Sequence, residues 1–311
     1  MLGSNSLQKP PFSFWQVAGL VVVGIVLIFL VFALFLVFSN GAGLSGTVLV
    51  IPVKGEISSD APNFGGAFST DELVEQLKNA DDNPSISAIV LDIDSPGGTI
   101  VSTKQIVHQI RETKKPVVSY IGEVGASGAY YVAAATDYVI CDEDSITGSI
   151  GVISLLPDLN GLMEKLGVQI TILTEGKNKG IGNPFSKTTP EQKQLLQNLL
   201  SEAFSHFKRD VKTFRGEKLN TTRFEQIADG RILSGTQALD AGLIDELGPK
   251  QAAIIKAAKL AGIRGTPAIE KASKPRFSIL DLLTQAGYSF GSGFKQSLAT
   301  PISRNPILVL E

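Results

Sequence analysis

One serine stands where a nucleophile could act. Ser127 lies in the run Val124-Gly125-Ala126-Ser127-Gly128, after an apolar segment, 116–121, that predicts a buried strand, and before a small-residue segment, 128–135, that predicts a buried helix. Small neighbours let substrate and backbone approach closely, and the amino-terminal end of a helix favours developing negative charge. The alternative is that Ser127 only caps the helix. Other parts of the sequence are needed to distinguish these two roles.

A serine nucleophile needs a base, and the sequence offers two kinds. A Ser-His-Asp triad needs a histidine, but His108 and His206 both fall at positions typical of the surface of predicted helices. Lys177 and Lys179 lie in a Gly-flanked loop after the apolar run 168–173, which predicts a strand, and active groups of parallel-sheet proteins collect at strand ends. A lysine base must be neutral, which requires desolvation to lower a pKa that is ordinarily about 10.4. A solvated basic loop is the other interpretation of these lysines.

Acyl transfer also needs backbone donors for an oxyanion. Asp94-Ser95-Pro96-Gly97-Gly98 follows a predicted buried strand, 86–93, and precedes a predicted helix. Two glycines at such a place can aim a free N–H at a substrate carbonyl, and Gly128, directly after the serine, can supply a second donor. An ordinary Pro-Gly turn explains the same residues.

These candidates are positioned by a predicted α/β domain over residues 47–262, without internal repeats. Continuously apolar strands alternate with helices through short connections, which is typical of a parallel sheet covered on both faces. The strands are predicted at 47–53, 86–93, 116–121, 138–141 and 168–173. Capping boxes predict two helix starts, at Ser69 and at Thr189, and the second helix should run to about Phe214.

The amino-terminal region predicts a membrane helix. No charge occurs between Lys9 and Lys54, and Val17 to Phe38 is almost purely apolar, which gives a helix of roughly 33 Å. We therefore predict a cytoplasmic segment over 1–14, a transmembrane helix over 15–38, a linker over 39–46 and, beyond the domain, a loosely packed tail over 263–311. Lys9 favours a cytoplasmic amino terminus and an extracytoplasmic catalytic domain. A cleaved signal peptide is the alternative, although its apolar core is typically only about 7–15 residues long.

Composition excludes some classes of function. The net charge of −2 and the pI of about 5.8 give no basic footprint for nucleic acid. The single cysteine, Cys141, excludes an intramolecular disulfide framework and a thiolate cluster for zinc, and its apolar surroundings predict a buried, inert thiol.

Five blocks taken together resemble the short, single-domain form of bacterial signal peptide peptidase A, over about residues 47–262. The resemblance implies a Clp-protease/crotonase-like fold and a serine protease with a Ser-Lys dyad, anchored by one amino-terminal helix, that degrades remnant signal peptides at the cell membrane. The blocks are Asp94-Ser95-Pro96-Gly97-Gly98, Gly125-Ala126-Ser127-Gly128-Ala129-Tyr130-Tyr131, Thr147-Gly148-Ser149-Ile150-Gly151-Val152, the Gly-flanked loop with Lys179, and Gly230 to Gly235 with Gln237 to Asp245.

The resemblance also implies a role for each matching residue. Ser127 matches the nucleophile, Lys179 the general base, Ser149 the hydroxyl that orients the lysine amine, and Gly98 and Gly128 the oxyanion donors. The family's base loop often has Lys-Asp where this chain has Lys179-Gly180, so Lys177 stays an alternative base. The resemblance implies no cofactor and no metal.

The partners that the resemblance implies are peptide substrates, the membrane and further copies of the chain. These copies would form a dome-like ring, in which the serine and the lysine of one site can come from neighbouring subunits. Two other functions fit the same fold: a crotonase-like enzyme acting on acyl-thioesters, and a membrane scaffold that has lost activity.

Overall fold

The computed structural model describes residues 14–39, 46–59 and 68–272 of the 311-residue chain. Its helices are α1 Phe14–Ser39, α2 Thr70–Asp82, α3 Ile100–Glu112, α4 Gly128–Ala134, α5 Asn160–Lys165, α6 Pro190–Arg215, α7 Thr221–Ile227, α8 Gly235–Asp240 and α9 Lys250–Leu260. Its strands are β1 Thr47–Lys54, β2 Ile57–Ser58, β3 Phe68–Ser69, β4 Ile86–Ser95, β5 Val117–Ala126, β6 Tyr138–Cys141, β7 Ile146–Gly148, β8 Ile232–Ser234, β9 Glu246–Leu247 and β10 Ala268–Lys271.

The predicted α/β class is confirmed by a sheet of order β10-β1-β4-β5-β6-β9, in which every neighbouring pair is parallel. The central strands are almost continuously buried because helices cover both faces of the sheet. On one face, alternate residues of β1 and β4 such as Val48 and Val90 pack with Ala253 and Ala257 of α9. The intervening residues, such as Ile51 and Leu91, are also fully buried, on the opposite face.

Strand β5 changes its neighbour halfway along its length. Residues 118–121 pair with β6, whereas residues 124–126 pair in parallel with β7, which itself pairs antiparallel with β8. The carboxyl ends of β5 and β7 therefore lie side by side, with Ala126 opposite Gly148. Ser127 and Ser149 are the residues that follow these two ends.

Two local predictions are wrong and one is confirmed. The run 168–173 forms no strand: it pairs with no strand among the described residues, and its apolar side chains are exposed, Leu173 by 91%. Ser69 precedes α2 as its N-cap residue, but its side chain accepts no capping hydrogen bond; the residue pairs with Ser58 in the β2–β3 ladder. The capping box of Thr189 and Gln192 is present, and α6 ends before Gly216 as the sequence predicts.

The two ends of the chain are only partly described. Residues 14–39 form the predicted helix, and its side chains from Val21 to Phe32 are mostly exposed apolar groups. In the part of the chain that the structure describes, no helix has the length and hydropathy of a membrane span. Residues 1–13 of the predicted segment 1–14, most of the linker and the tail from 273 onward lie outside the described residues. Strand β10, within the predicted tail, pairs with β1.

A buried ion pair holds the end of α6 against the turn after α8. Arg215 donates two hydrogen bonds to the Asp245 carboxylate, at 2.9 and 3.0 Å, and a third to the carbonyl of Gly242 at 2.9 Å. The two side chains are only 1% and 5% exposed. Asp245 also accepts from the N–H of Val139 at 2.8 Å and contacts the amine of Lys218 at 2.8 Å. Burial by itself raises the pKa of Asp245, but the bonds and charges of Arg215 and Lys218 outweigh it and hold the pKa below its usual range.

We expect Asp245→Asn to lower the free energy of unfolding by about 3 kcal/mol near pH 7, because it leaves the Arg215 charge buried without its counter-ion. The folded-state pKa of Asp245 is depressed, so its contribution is present above the unfolded pKa of about 3.9 and is lost as the pH falls through the lower folded value. Denaturant titrations at several pH values measure both effects. The control is Glu191→Gln, which breaks an exposed ion pair with Lys177 and should cost less than about 1 kcal/mol. Equal effects of the two substitutions would contradict the prediction.

Candidate active site

Ser127 lies at the junction of β5 and α4 in an unusual backbone conformation. Its φ of 52° and ψ of −121° are values that non-glycine residues rarely adopt. The conformation is held on both sides, since the Ser127 N–H donates to the carbonyl of Gly148 at 2.9 Å and its carbonyl accepts from the N–H of Tyr131 at 3.0 Å. The Ser127 side chain accepts no capping hydrogen bond from α4. Capping therefore does not explain this serine, and strain of this kind is common at functional sites.

Ser149 occupies the matching position after the neighbouring strand. It shares the positive φ, at 50°, and its N–H donates to the carbonyl of Arg231 at 2.8 Å. Within the described ranges, Ser127 and Ser149 are the two non-glycine residues with positive φ. Because Ala126 pairs with Gly148, the two serines follow adjacent parallel strands, whose backbones are roughly 4.8 Å apart. This register therefore places Ser127 and Ser149, the two predicted site serines, close together.

The glycines after β4 place backbone donors next to Ser127. Ile57 forms a parallel bridge with this loop: its N–H donates to the carbonyl of Gly97 at 2.8 Å, and its carbonyl accepts from the N–H of Thr99 at 3.0 Å. In such a bridge the N–H of Gly98 points away from Ile57. A Cβ added to Gly128 would lie 3.2 Å from the Gly98 nitrogen, so the two glycines are in contact. A Cβ on Gly98 would lie 1.9 Å from the Ile57 carbonyl oxygen, so only glycine fits there.

A cavity of about 610 Å³ opens in front of these groups, which is within the usual size of ligand sites. Four of the five predicted site residues line it: Ser127, Ser149, Gly98 and Gly128. The further lining residues are Glu56, Pro96, Gly97, Thr99, Ile100, Thr103, Lys104, Tyr131, Gly151, Val152, Ile153, Ala203, Phe207 and Gly230.

The aromatic wall of this cavity was not predicted from the sequence. Tyr131 stacks on Phe207 of α6 with ring centroids 4.6 Å apart, and the Tyr131 hydroxyl donates a short hydrogen bond to Asp210. Burial, followed by this hydrogen bond, raises the pKa of Tyr131 well above its usual value. Tyr131 has a signal in the sequence, because it lies one helical turn after Ser127. Phe207 has none, since its place depends on how α6 packs against α4.

The predicted base lies apart from the serine within one chain. Lys179 is exposed in its loop, where its N–H donates to the carbonyl of Gly176 at 3.0 Å, and it does not line the cavity. The alternative, Lys177, is also exposed and pairs with Glu191 at 2.8 Å. His108 lies on the surface beside Glu112, at 3.3 Å. The lysine that does line the cavity is Lys104.

Cys141 is buried at the end of β6, as predicted. Desolvation raises the pKa of its thiol to about 11, although a hydrogen bond with Ser145 opposes the shift. The thiol is therefore uncharged near neutral pH and poorly reactive.

The chain is similar in sequence to several known proteins. Residues 109–264 match the sequence profile of Peptidase family S49, and residues 47–159 match that of the amino-terminal domain of NfeD1b. A protein of Methanocaldococcus jannaschii described as a protease is 35% identical over 227 residues, which are 72% of each chain. A protein of Enterococcus faecium described as signal peptide peptidase SppA is 31% identical, over 60% of this chain and 55% of its own length.

A longer relative and a solved structure are also similar. Protease 4 of Haemophilus influenzae is 30% identical over 74% of this chain, which spans only 37% of that protein. A mutant of the 1510-N membrane-bound stomatin-specific protease has a TM-score of 0.48 and 18% identity, covering 74% of this chain and 98% of its own.

Proposed function

The chain belongs to peptidase family S49, and from this premise we propose that it is a membrane-anchored endopeptidase with a Ser-Lys dyad that degrades remnant signal peptides. The observation that carries the proposal is the strained Ser127 at the end of β5, next to the glycine backbones of residues 98 and 128 on one cavity. A hydroxyl that shares a cavity with backbone donors is the arrangement that acyl transfer needs. We further propose that the domain has the Clp-protease/crotonase-like fold.

In the proposed reaction, neutral Lys179 takes the proton of Ser127 as the hydroxyl oxygen attacks a peptide carbonyl. The N–H groups of Gly98 and Gly128 stabilise the oxyanion of the tetrahedral intermediate. Protonated Lys179 then gives its proton to the leaving amine, and water hydrolyses the resulting ester on Ser127. Acid slows such an enzyme because it charges the base, so we expect turnover to be fastest at neutral to alkaline pH.

We propose that the lysine of each site comes from a neighbouring copy of the chain in a ring. Two features support this arrangement. Lys179 is exposed and lies outside the lining of the Ser127 cavity of its own chain. The segment that leads to it carries exposed apolar side chains, among them Ile153, Leu155 and Leu173, which are 83–91% exposed. Large apolar side chains of this kind on one segment are typical of a surface that another protein covers.

A fluorophosphonate probe tests the proposal against its alternatives. We expect the probe to label wild-type protein on Ser127, as mapped by mass spectrometry, and to leave Ser127→Ala unlabelled. A crotonase-like thioester enzyme or an inactive scaffold has no activated serine, so absence of labelling, combined with intact folding, would favour one of these two functions.

Ser149→Ala should lower peptide turnover by about 10- to 100-fold, less than the loss of Ser127 itself. The reason is that a hydroxyl that orients the base contributes geometry, whereas the nucleophile forms the covalent bond. Steady-state rates with one fluorogenic peptide measure the effect. Ser85→Ala is the control, because Ser85 is exposed before β4 and absent from the cavity lining. If Ser149→Ala left turnover unchanged, Ser149 would not be the residue that orients the base.

The membrane location is proposed from the apolar residues 15–38, with the amino terminus in the cytoplasm and residues 47–311 on the extracytoplasmic side. A protease added to intact cells should then digest an epitope placed after residue 272. The same epitope at the amino terminus should be digested only after the cells are permeabilised. Protection of the first epitope in intact cells would contradict this orientation.

A further inference from the structure

Two charged side chains line the Ser127 cavity and have no role in the proposed reaction. Lys104 is contributed by α3, and Glu56 by the turn before β2. Among the residues that the structure describes, neither the Lys104 amine nor the Glu56 carboxylate forms an ion pair or a side-chain hydrogen bond. Much of the remaining wall is apolar, including Ile100, Ile153 and Phe207. Charges on low-dielectric walls focus their field into a cleft, so these two groups act on whatever binds there.

Lys104 belongs to the turn of α3 that borders the candidate oxyanion donors. Its neighbour Thr103 is buried, and a Cβ added to Gly128 would lie 2.6 Å from the Thr103 hydroxyl oxygen. Lys104 itself is half-buried. A lysine in that position packs its methylene stem into the wall and keeps its ammonium in the solvent-filled part of the cleft. A peptide whose carbonyl reaches Gly128 therefore passes close to this ammonium.

We propose that Lys104 forms a subsite for a carboxylate of the bound peptide, next to the reacting carbonyl; this inference rests on the proposed peptidase function. Two kinds of carboxylate have the required chemistry: the side chain of Asp or Glu, and the free carboxyl terminus of a short peptide. The second kind is present on every peptide that an earlier cleavage has released. Lys104 thereby favours peptide fragments over intact chains, whose carboxyl termini are far from the cleaved bond.

Glu56 gives the cleft a second charge preference, at a different position along the bound peptide. It directly precedes Ile57, whose backbone forms the parallel bridge with Gly98, so Glu56 lies beside this loop, whereas Lys104 is contributed by α3. Because Glu56 and Lys104 do not neutralise each other, each acts on its own part of the substrate. A cation is favoured near Glu56 and a carboxylate near Lys104, at different positions along the peptide.

The test is a competition among peptides that share one cleaved sequence. One series carries Glu, Gln or Lys at each position on either side of the cleaved bond, and a second series compares free with amidated carboxyl termini. For wild type we expect Glu to exceed Lys in kcat/KM by roughly fivefold at one position, which corresponds to about 1 kcal/mol, or the free terminus to exceed the amide by a similar factor. Lys104→Met should reduce that ratio to about one, and Lys104→Glu should invert it.

Each ratio is measured within one variant, so a general loss of activity cancels. The matched control is Lys78→Glu, which reverses the charge of an exposed lysine on α2 outside the cavity lining and should leave the ratio as in wild type. A ratio that is the same in wild type, Lys104→Met and Lys104→Glu would overturn the inference while leaving the peptidase function intact. Absence of both cleavage and fluorophosphonate labelling in wild type would instead overturn the proposed function. The inference would also be overturned if Lys104→Met were still labelled by the fluorophosphonate but cleaved none of the peptides. Lys104 would then be a candidate base.

Discussion

Replacing Ser127 by alanine should lower peptide turnover by about a thousandfold or more. In the proposed reaction the Ser127 oxygen forms the acyl bond, and no neighbouring group can take its place in that bond. Loss of a serine nucleophile typically removes nearly all of the rate that its catalytic unit provides. The measurement is kcat/KM with a fluorogenic peptide at a pH between about 7 and 9, where the base is expected to function.

Ser127→Gly provides the second variant, because it separates catalysis from backbone strain. Both variants lack the hydroxyl and should be equally inactive. Glycine, however, adopts a φ of 52° more easily than alanine, so Ser127→Gly should be the more stable of the two by about 1 kcal/mol. Ser85→Ala, at an exposed serine before β4, should keep both activity and stability. Turnover that survives in Ser127→Ala would require a different nucleophile and would end the proposal.

The central sheet could be predicted from sequence because its strands carry their own signal. Strands buried on both faces are apolar at most positions, so β1, β4, β5 and β6 stand out as predominantly apolar runs. The long helix α6 was predictable for a different reason. Thr189 and Gln192 fix its start by reciprocal hydrogen bonds, Pro190 suits the first helical position through its fixed φ, and Gly216 marks its end, so no knowledge of the rest of the fold is needed.

The run 168–173 shows where that reasoning fails. Its composition is that of a buried strand, but its residues pair with no other strand in the described part of the chain, and Leu173 is exposed. An apolar pattern indicates that a segment will be buried, but it does not indicate which element or protein buries it. The pattern is the same whether the cover is the domain's own sheet or another protein, so a single sequence cannot separate the two.

The part of the candidate site that is formed by turns at strand ends could be predicted from the sequence. Ser127, Ser149, Gly98 and Gly128 follow strand ends, where glycine-rich turns give a signal, and parallel pairing brings strand ends together. The cavity walls were not predictable, because Phe207 and Lys104 belong to ordinary amphipathic helices. Their place in the cavity depends on helix packing, which a single sequence does not record.

Lys179→Met should also abolish turnover, by about a thousandfold or more, while the protein stays folded and assembled. Methionine keeps a side chain of similar length and shape but cannot accept a proton, so the Ser127 hydroxyl is no longer activated. Kinetics with the fluorogenic peptide measure the loss. The matched control is Lys177→Met in the same loop, which removes an exposed ion pair with Glu191 and should keep activity. Turnover retained in Lys179→Met but lost in Lys177→Met would transfer the role of base to Lys177.

Mixed assemblies test where this lysine comes from. Chains with Ser127→Ala and chains with Lys179→Met, each inactive alone, are co-expressed in equal amounts and purified together through two different tags. If each site takes its serine from one chain and its lysine from the next, random pairing restores about a quarter of the sites. If both residues come from the same chain, every site lacks one of them and no activity returns. The exposed position of Lys179, away from the Ser127 cavity of its own chain, leads us to expect recovery. A mixed assembly that stays inactive would contradict the shared site without removing Lys179 as the base.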